Sequence, residues 1–497
     1  KWQRHTTSTH THTQPSHTPP QPMRTNSDLV TLPLDDVEAV AKAKKRRRTE
    51  DLSRLLDEGW VAINPNHGEW KVIAPDTPTP VATLANVPRR TTLVDLFLRV
   101  FTKEFVWEVW TRGSGAESVQ KHEIGMRQIY MALATDICAR GKRYKLPKGV
   151  IDRPLAQLYD ELYGPELADA SECEVKRLNS YQMLCHIRAH FLLLPSDARG
   201  YLSTLFRSMV HLGQYVALDE KQRRWRGESP AIKKVLSKKE RPHRTLDDTA
   251  GHYLQGSRLP MVIGMFPFDA VKAAGEGISM MDVWRWFDSL MGEGIVRPIV
   301  CAESLYLTNQ AREYLQDLGQ PYHCSAKPDR FVRVTKELRL TVKKPGQWSA
   351  MHNEATGEVA VHYWSPDPNV KKKFLLTTAL RRQREKHPNE LAPGWAIYKH
   401  MFSACDNYSQ YFGSSMWPYR HSRWDRHLND IYLTHCLLNM YAIWIELAPE
   451  DRAGLTRAQF FCELGQTLHN WAIHARNHEF RVPPLIHDSY SPCLFSV

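Results

Sequence analysis

Gly213-Gln214-Tyr215-Val216-Ala217-Leu218-Asp219-Glu220 runs on through Lys221 into Arg223-Arg224-Trp225-Arg226-Gly227. The fold class turns on what this segment is. Its first half is short, β-branched and aromatic, and two acids stop it, which is the pattern of a buried strand. Carboxylates at a strand end suit Mg²⁺, and arginines directly after them suit the phosphates that Mg²⁺ accompanies. A strand that ends at the surface in a solvated charged turn fits the same residues. On this segment alone both readings stand.

Composition narrows the partners. The chain has 497 residues, enough for two to four domains, and 42% of them are hydrophobic. Lys and Arg outnumber Asp and Glu by 66 to 54, which gives a formal charge of +12. That balance favours a polyanionic partner, nucleic acid ahead of an acidic membrane surface. The nine cysteines include no Cys-x-x-Cys pair, so neither a zinc knuckle nor a redox dithiol is visible, and their odd count suits a reducing compartment. His186 and His190 stand at i, i+4, but no acid or third ligand accompanies them, and they read as core or surface residues. The longest apolar run, Ile431 to Leu447, is interrupted by Thr434, His435 and Asn439 and reads as a buried helix, so no membrane insertion is expected.

Residues 1–52 form a basic low-complexity tail of the disordered type. Its first 27 residues contain no acid and are rich in Thr, His, Pro and Ser, as in a remnant of an organelle-targeting segment. Within it, Lys44, Lys45, Arg46, Arg47 and Arg48 read as a nuclear-localisation signal, as a phosphate-contacting arm, or as a solvated helix face. Residues 53–92 are a Pro-rich linker, and helical periodicity begins near Thr92 and fills 93–212. Residues 213–425 then alternate strand and helix. The strand at Tyr215 is followed by strands near Tyr253 and Leu259–Phe266, the Met280–Met291 helix, and a strand Ile295–Ala302 that ends at Glu303. A helix closed by Gly319 and a strand at Tyr322 complete an α/β nucleus. A β-rich insertion is placed at about 332–395, helices at 426–480 and a Pro-broken tail at 481–497. Arg223, Arg224, Arg226, Lys233, Lys234, Lys238, Lys239 and Arg241 are candidate nucleic-acid contacts, together with the tail block at Lys44 to Arg48.

The order Asp219-Glu220 with Gly227, Lys239 to Pro242, Cys301 to Thr308 and Phe402 to Gln410 resembles the piggyBac-type transposases. The Leu93 to Trp110 helix, Trp424 and Asn439-Met440-Tyr441 resemble that family as well, so the likeness spans roughly residues 90–450. The resemblance implies an RNase H-like core with a β-rich insertion and helical flanks, and two-metal phosphoryl transfer. It places the first acid on Asp219, the second on Glu303 (Ala302 if the alignment slips by one) and the third on Asp406. These three are the vestigial catalytic candidates and the Mg²⁺ ligands if the site is retained. No other cofactor is expected. The family has Asp where this chain has Glu303, a further Asp where this chain has Ser409, and a Cys/His-rich zinc module with no counterpart here. The resemblance therefore implies a domesticated, catalytically degenerate member.

The function expected from these readings is that of a transposase-derived nucleic-acid-binding and structural protein. RNA is favoured over DNA, and the basic tail points to protein partners in a large ribonucleoprotein such as a mitochondrial ribosome. The alternative is a DNA transposase or excision nuclease of the nucleus, supported by Asp219, Asp406 and the Lys44 to Arg48 block. A subunit that contacts only protein in another organellar complex is the third reading.

Overall fold

A computed structural model describes residues 58–63, 69–72, 82–122, 124–143, 181–219, 222–224, 234–236, 242–247, 252–256, 261–266, 280–292, 296–327, 330–366, 373–383, 408, 411–413, 415, 424–452 and 454–480. All of them fall within the compact unit Leu55–Val497. Asp406 and Lys44 to Arg48 lie outside the described residues, as do Arg226, Lys233, Lys238, Lys239 and Arg241.

Among the described residues nine strands make the central sheet. In chain order they are β1 (Trp60–Ile63), β2 (Tyr215–Asp219), β3 (His252–Gly256), β4 (Val262–Phe266), β5 (Ile299–Ala302), β6 (Tyr322–Ser325), β7 (Trp348–Asn353), β8 (Val359–Tyr363) and β9 (Lys373–Thr377). Across the sheet the order is β1-β7-β8-β9-β6-β5-β2-β3-β4. Strands β2, β5 and β6 are parallel neighbours at the centre, and every other pairing is antiparallel. Strands β2 and β5 read as apolar runs because both of their faces are covered: Val216, Ala217, Leu218, Ile299, Val300, Cys301 and Ala302 are all fully buried. Strands β7, β8 and β9 come from the segment expected as a β-rich insertion. Because β9 pairs with β6, they lengthen the central sheet.

Four helices frame the N-terminal part: α1 (Leu93–Val100), α2 (Lys103–His122), α3 (Met126–Arg143) and α4 (Tyr181–His190). Helix α1 starts where it does because Thr92 and Asp95 form a reciprocal capping box. Among the described residues five longer helices follow: α5 (Met280–Met291), α6 (Asn309–Asp317), α7 (Val332–Thr341), α8 (Trp424–Leu447) and α9 (Arg457–His474). Helix α6 is capped by the Thr308 hydroxyl, which accepts from the Ala311 N–H at 3.1 Å. It ends in a Schellman motif, with Gly319 N–H donating to Gln316 O and Gln320 N–H to Leu315 O. The motif needs a left-handed residue, and Gly319 sits at φ +63°.

Helices α3 and α9 pack so closely that glycine is required at both crossing points. A Cβ on Gly141 would lie 2.6 Å from Cys462 Sγ and 2.7 Å from Ala458 O. One on Gly465 would run into Cys138 Sγ and lie 2.8 Å from Ala134 O. Nearby, a buried charge network ties α3 and α4 to α8. Arg140 Nε donates to Asp136 Oδ2 at 2.8 Å, its Nη1 to Thr434 Oγ1 at 2.9 Å, and its Nη2 to Asp430. Arg188 Nε meets Asp136 Oδ1 at 2.9 Å. Burial alone would lower the Arg140 pKa, but Asp430 and Asp136 outweigh it and hold the guanidinium above its usual range.

Edge strand β4 is closed by side chains. Asn439 on α8 accepts from Val262 N–H at 2.9 Å and donates to Val262 O at 2.7 Å, while Ser203 Oγ accepts from Met265 N–H at 2.8 Å. These bonds occupy backbone groups that an edge strand otherwise offers to another chain.

Candidate active site and nucleic-acid surface

Asp219 is the last residue of β2, and Glu303 directly follows the last residue of β5. The parallel register pairs Val216 with Val300, Ala217 with Cys301 and Leu218 with Ala302, so Asp219 and Glu303 occupy the next step of two neighbouring strands. Such strands run about 4.8 Å apart, which brings the two acids side by side at one end of the sheet. Alternation along the strands sends Val216, Leu218, Val300 and Ala302 into the main apolar core. Asp219 shares the opposite face with Ala217, as Glu303 does with Cys301 by the same count. Asp219 is half-buried and Glu303 exposed, so the pair reaches solvent at the rim.

The turn that carries Glu303 is held from three sides. Tyr306 N–H donates to Glu303 O at 3.1 Å, closing the turn, and the indole Nε1 of the buried Trp284 donates to Tyr306 O at 3.0 Å. Arg330 Nη1 donates to Ser304 O at 2.9 Å and to Leu307 O at 2.8 Å. A carboxylate at a strand end is only as well placed as the loop behind it, and here that loop is tied to α5 and to Arg330, two residues ahead of α7. Neither contact was visible in the sequence. Trp284 lies on the Met280–Met291 helix that the sequence predicts, but nothing along the chain pairs Arg330 with a turn some 25 residues upstream.

Two carboxylates from adjacent strands suit a hard divalent cation, which takes oxygen ligands and several waters. Asp219 and Glu303 would hold it, with Asp406 as third ligand if that residue joins them. Among the described residues no cluster of three or more His, Cys, Asp or Glu side chains could hold a metal by itself. Bound there, the ion would supply charge stabilisation to oxygens exchanging at phosphorus.

The face below the acids also carries His323 on β6, in register with Cys301. It is fully buried, and neither ring nitrogen has a hydrogen-bond partner. Burial lowers its pKa to about 3, so the ring stays neutral. Burial, reinforced by Cys301, raises the Tyr215 phenol to about 12. His186 and His190 lie with ring centroids 4.5 Å apart and planes tilted by 44°, and His190 Nδ1 lies 3.1 Å from Gly113 O.

Of the expected nucleic-acid contacts, Arg223 and Arg224 lie on the strand Gln222–Arg224 and Lys234 on the strand Lys234–Leu236. Both pair with Pro242–Asp247 in a small three-stranded sheet that begins just after Asp219. The backbone thus brings these basic positions together close in sequence to the acid-bearing strand end.

No family profile and no curated protein sequence matches the chain. Among solved structures, a cryo-EM structure of a piggyBac transposase synaptic complex with hairpin DNA aligns with a TM-score of 0.56 at 13% identity. The alignment covers 82% of this chain and 85% of that one. At this identity the likeness is one of architecture, and over most of its length the chain is folded like that transposase.

Proposed function

We propose that this chain is a transposase-derived nucleic-acid-binding protein with an RNase H-like core whose strand-transfer site is reduced. The observation that carries the reading is the register of β2 with β5, which sets Asp219 and Glu303 on neighbouring strand ends. The sheet order β4-β3-β2-β5-β6, antiparallel up to β2 and parallel beyond it, supports an RNase H-like core. The overall charge of +12 supports a polyanionic partner. Reduced chemistry follows from Glu303 and Ser409 standing where the resembled family carries Asp. A longer side chain displaces its carboxylate, and about 1 Å of misplacement costs on the order of a hundredfold in rate.

The test uses the full chain with a labelled DNA duplex and, in parallel, an RNA duplex, in Mg²⁺ or Mn²⁺. Binding that weakens steeply with salt, without strand cleavage, is the expected result. Cleavage abolished by Asp219→Ala overturns the reduced-site reading, and binding indifferent to salt overturns the nucleic-acid reading. The finer assignment to a ribonucleoprotein rests on the composition of residues 1–52. Co-sedimentation of the native protein with ribosomal RNA, against its absence, decides it.

A further inference from the structure

Helix α7 has two chemically opposite faces. Val334, Thr335 and Leu338 are buried, with Phe331 and Val342 buried just beyond its ends, and the helix packs on β7 and β8. His362 Nδ1 lies 3.4 Å from Leu338 O at that seam. The outward face presents Arg333, Lys336 and Arg339, and Lys343 and Lys344 follow in the exposed turn. From Arg330 to Lys344 the sequence has six cations and one acid, Glu337. Arg333 is ion-paired with Glu58. Arg339, Lys343 and Lys344 carry no ion pair among the described residues.

A solvated surface helix ordinarily mixes signs, because opposite charges at i, i+4 support it and like charges oppose it. This face runs against that rule. At 1.5 Å per residue, the helical part of the ridge, from Arg333 to Arg339, is about 9 Å long, and Lys343 and Lys344 prolong it in the turn beyond Thr341. Over the helical part alone duplex DNA offers about three phosphates on each strand. Arg339 reaches out from a helix whose other face is fixed to the sheet, and the two lysines follow directly after it.

We propose that the outer face of α7 and the turn that follows it, through Arg339, Lys343 and Lys344, dock on the phosphate backbone of duplex DNA. This surface is separate from the basic positions that follow Asp219, and it rests on the nucleic-acid reading given above. It contributes affinity without reading sequence, since phosphate contacts position a protein and base contacts specify.

The experiment compares the full chain with its Arg339→Gln/Lys343→Gln/Lys344→Gln variant. Fluorescence anisotropy on a labelled 30-bp duplex is followed from low to moderate KCl, with a melting curve to confirm the fold of each protein. Each phosphate deprived of its cation should lower the slope of log K against log salt by about 0.9, so a decrease of about 2 to 3 is expected. Two companion variants guard the interpretation. Lys343→Arg/Lys344→Arg should keep the wild-type slope, and Arg89→Gln/Arg90→Gln, which removes exposed charge elsewhere, should barely change it. An unchanged slope in the triple variant, with wild-type binding still steep, overturns this surface alone. A flat wild-type slope overturns the nucleic-acid reading beneath it. Equal decreases in the triple and the Arg89/Arg90 variants reduce the effect to net charge. A decrease seen on an RNA duplex but not on DNA overturns the choice of partner.

Discussion

Arg140→Met keeps the side chain's length and removes a cation from a site only 2% exposed. Taking one partner from a buried ion pair costs about 3–5 kcal/mol, because the remaining charge stays out of water. Here Arg140 serves two carboxylates, and they do not suffer equally. Asp136 keeps Arg188 Nε at 2.9 Å, whereas Asp430, 4% exposed, loses the cation that faces it. The penalty should therefore sit near the low end, about 3 kcal/mol, with about 1 kcal/mol more for the missing bond to Thr434. The second half of the prediction concerns the double variant Arg140→Met/Asp430→Leu. It removes both charges and fills the space with apolar groups, and such replacements are often neutral. It should be more stable than the single variant despite carrying one more substitution. Urea unfolding of the full chain, followed by tryptophan fluorescence and far-UV circular dichroism, measures both from the shift in midpoint at constant slope. A single variant within about 1 kcal/mol of wild type, or a double variant less stable than the single, would refute the view that Asp430 is held in place by Arg140.

Two further outcomes follow from the packing and the buried histidines. Gly465→Ala should destabilise by about 1–3 kcal/mol, although alanine in a helix normally gains about 1 kcal/mol over glycine. The new methyl meets Cys138 Sγ and Ala134 O, while Gly454→Ala, where nothing lies within 4 Å, should be neutral or better in the same melting experiment. Stability should also fall as pH drops below about 6.5, because burial lowers the folded-state pKa of His323 to about 3 and of His469 to about 4. The unfolded chain takes up those protons first, so this contribution is complete above the unfolded pKa and is lost as pH falls toward the folded ones. Two such groups give a slope that approaches roughly 3 kcal/mol per pH unit only once the pH is below about 5.5, and is about half of that near pH 6.5. Measured unfolding midpoints between pH 7 and 5 check it, and His323→Leu should remove about half of that slope.

What the sequence made legible was mostly local. Tyr215 to Asp219 reads as a strand stopped by acid, Ile295 to Ala302 as a second, of which Ile299–Ala302 is strand, and Gly319 as a helix stop, because each signal sits within a few residues. Pairing order was not legible, since hydrogen bonding between β2 and β5, or between β6 and β9, leaves no mark along the chain. The interrupted apolar run at Ile431 to Leu447 is instructive. Thr434, His435 and Asn439 served to exclude a membrane span, and Asn439 also entered the family resemblance, yet each is a contact point. Thr434 accepts from Arg140, His435 Nδ1 lies 2.7 Å from the Tyr408 hydroxyl, and Asn439 bonds both backbone groups of Val262. A polar residue inside a buried helix must find a partner, so the positions were visible even though the partners were not. The site divides the same way. Asp219 and Glu303 could be named from strand ends, while Arg330, which fixes the turn under Glu303, could be found only in three dimensions.

The Asn439 contact has a consequence for how the chain is made. Val262 and Asn439 are 177 residues apart, so on a ribosome β4 emerges long before the helix that closes it. Throughout that interval a strand of five residues that are buried in the finished protein presents open hydrogen-bonding groups to any neighbouring nascent chain. A chain that terminates before α8 keeps that opening permanently. A premature stop ahead of α8 should therefore leave Val262 without the two side-chain bonds that Asn439 supplies, while Met265 N–H can still donate to Ser203 Oγ, which precedes it in the chain.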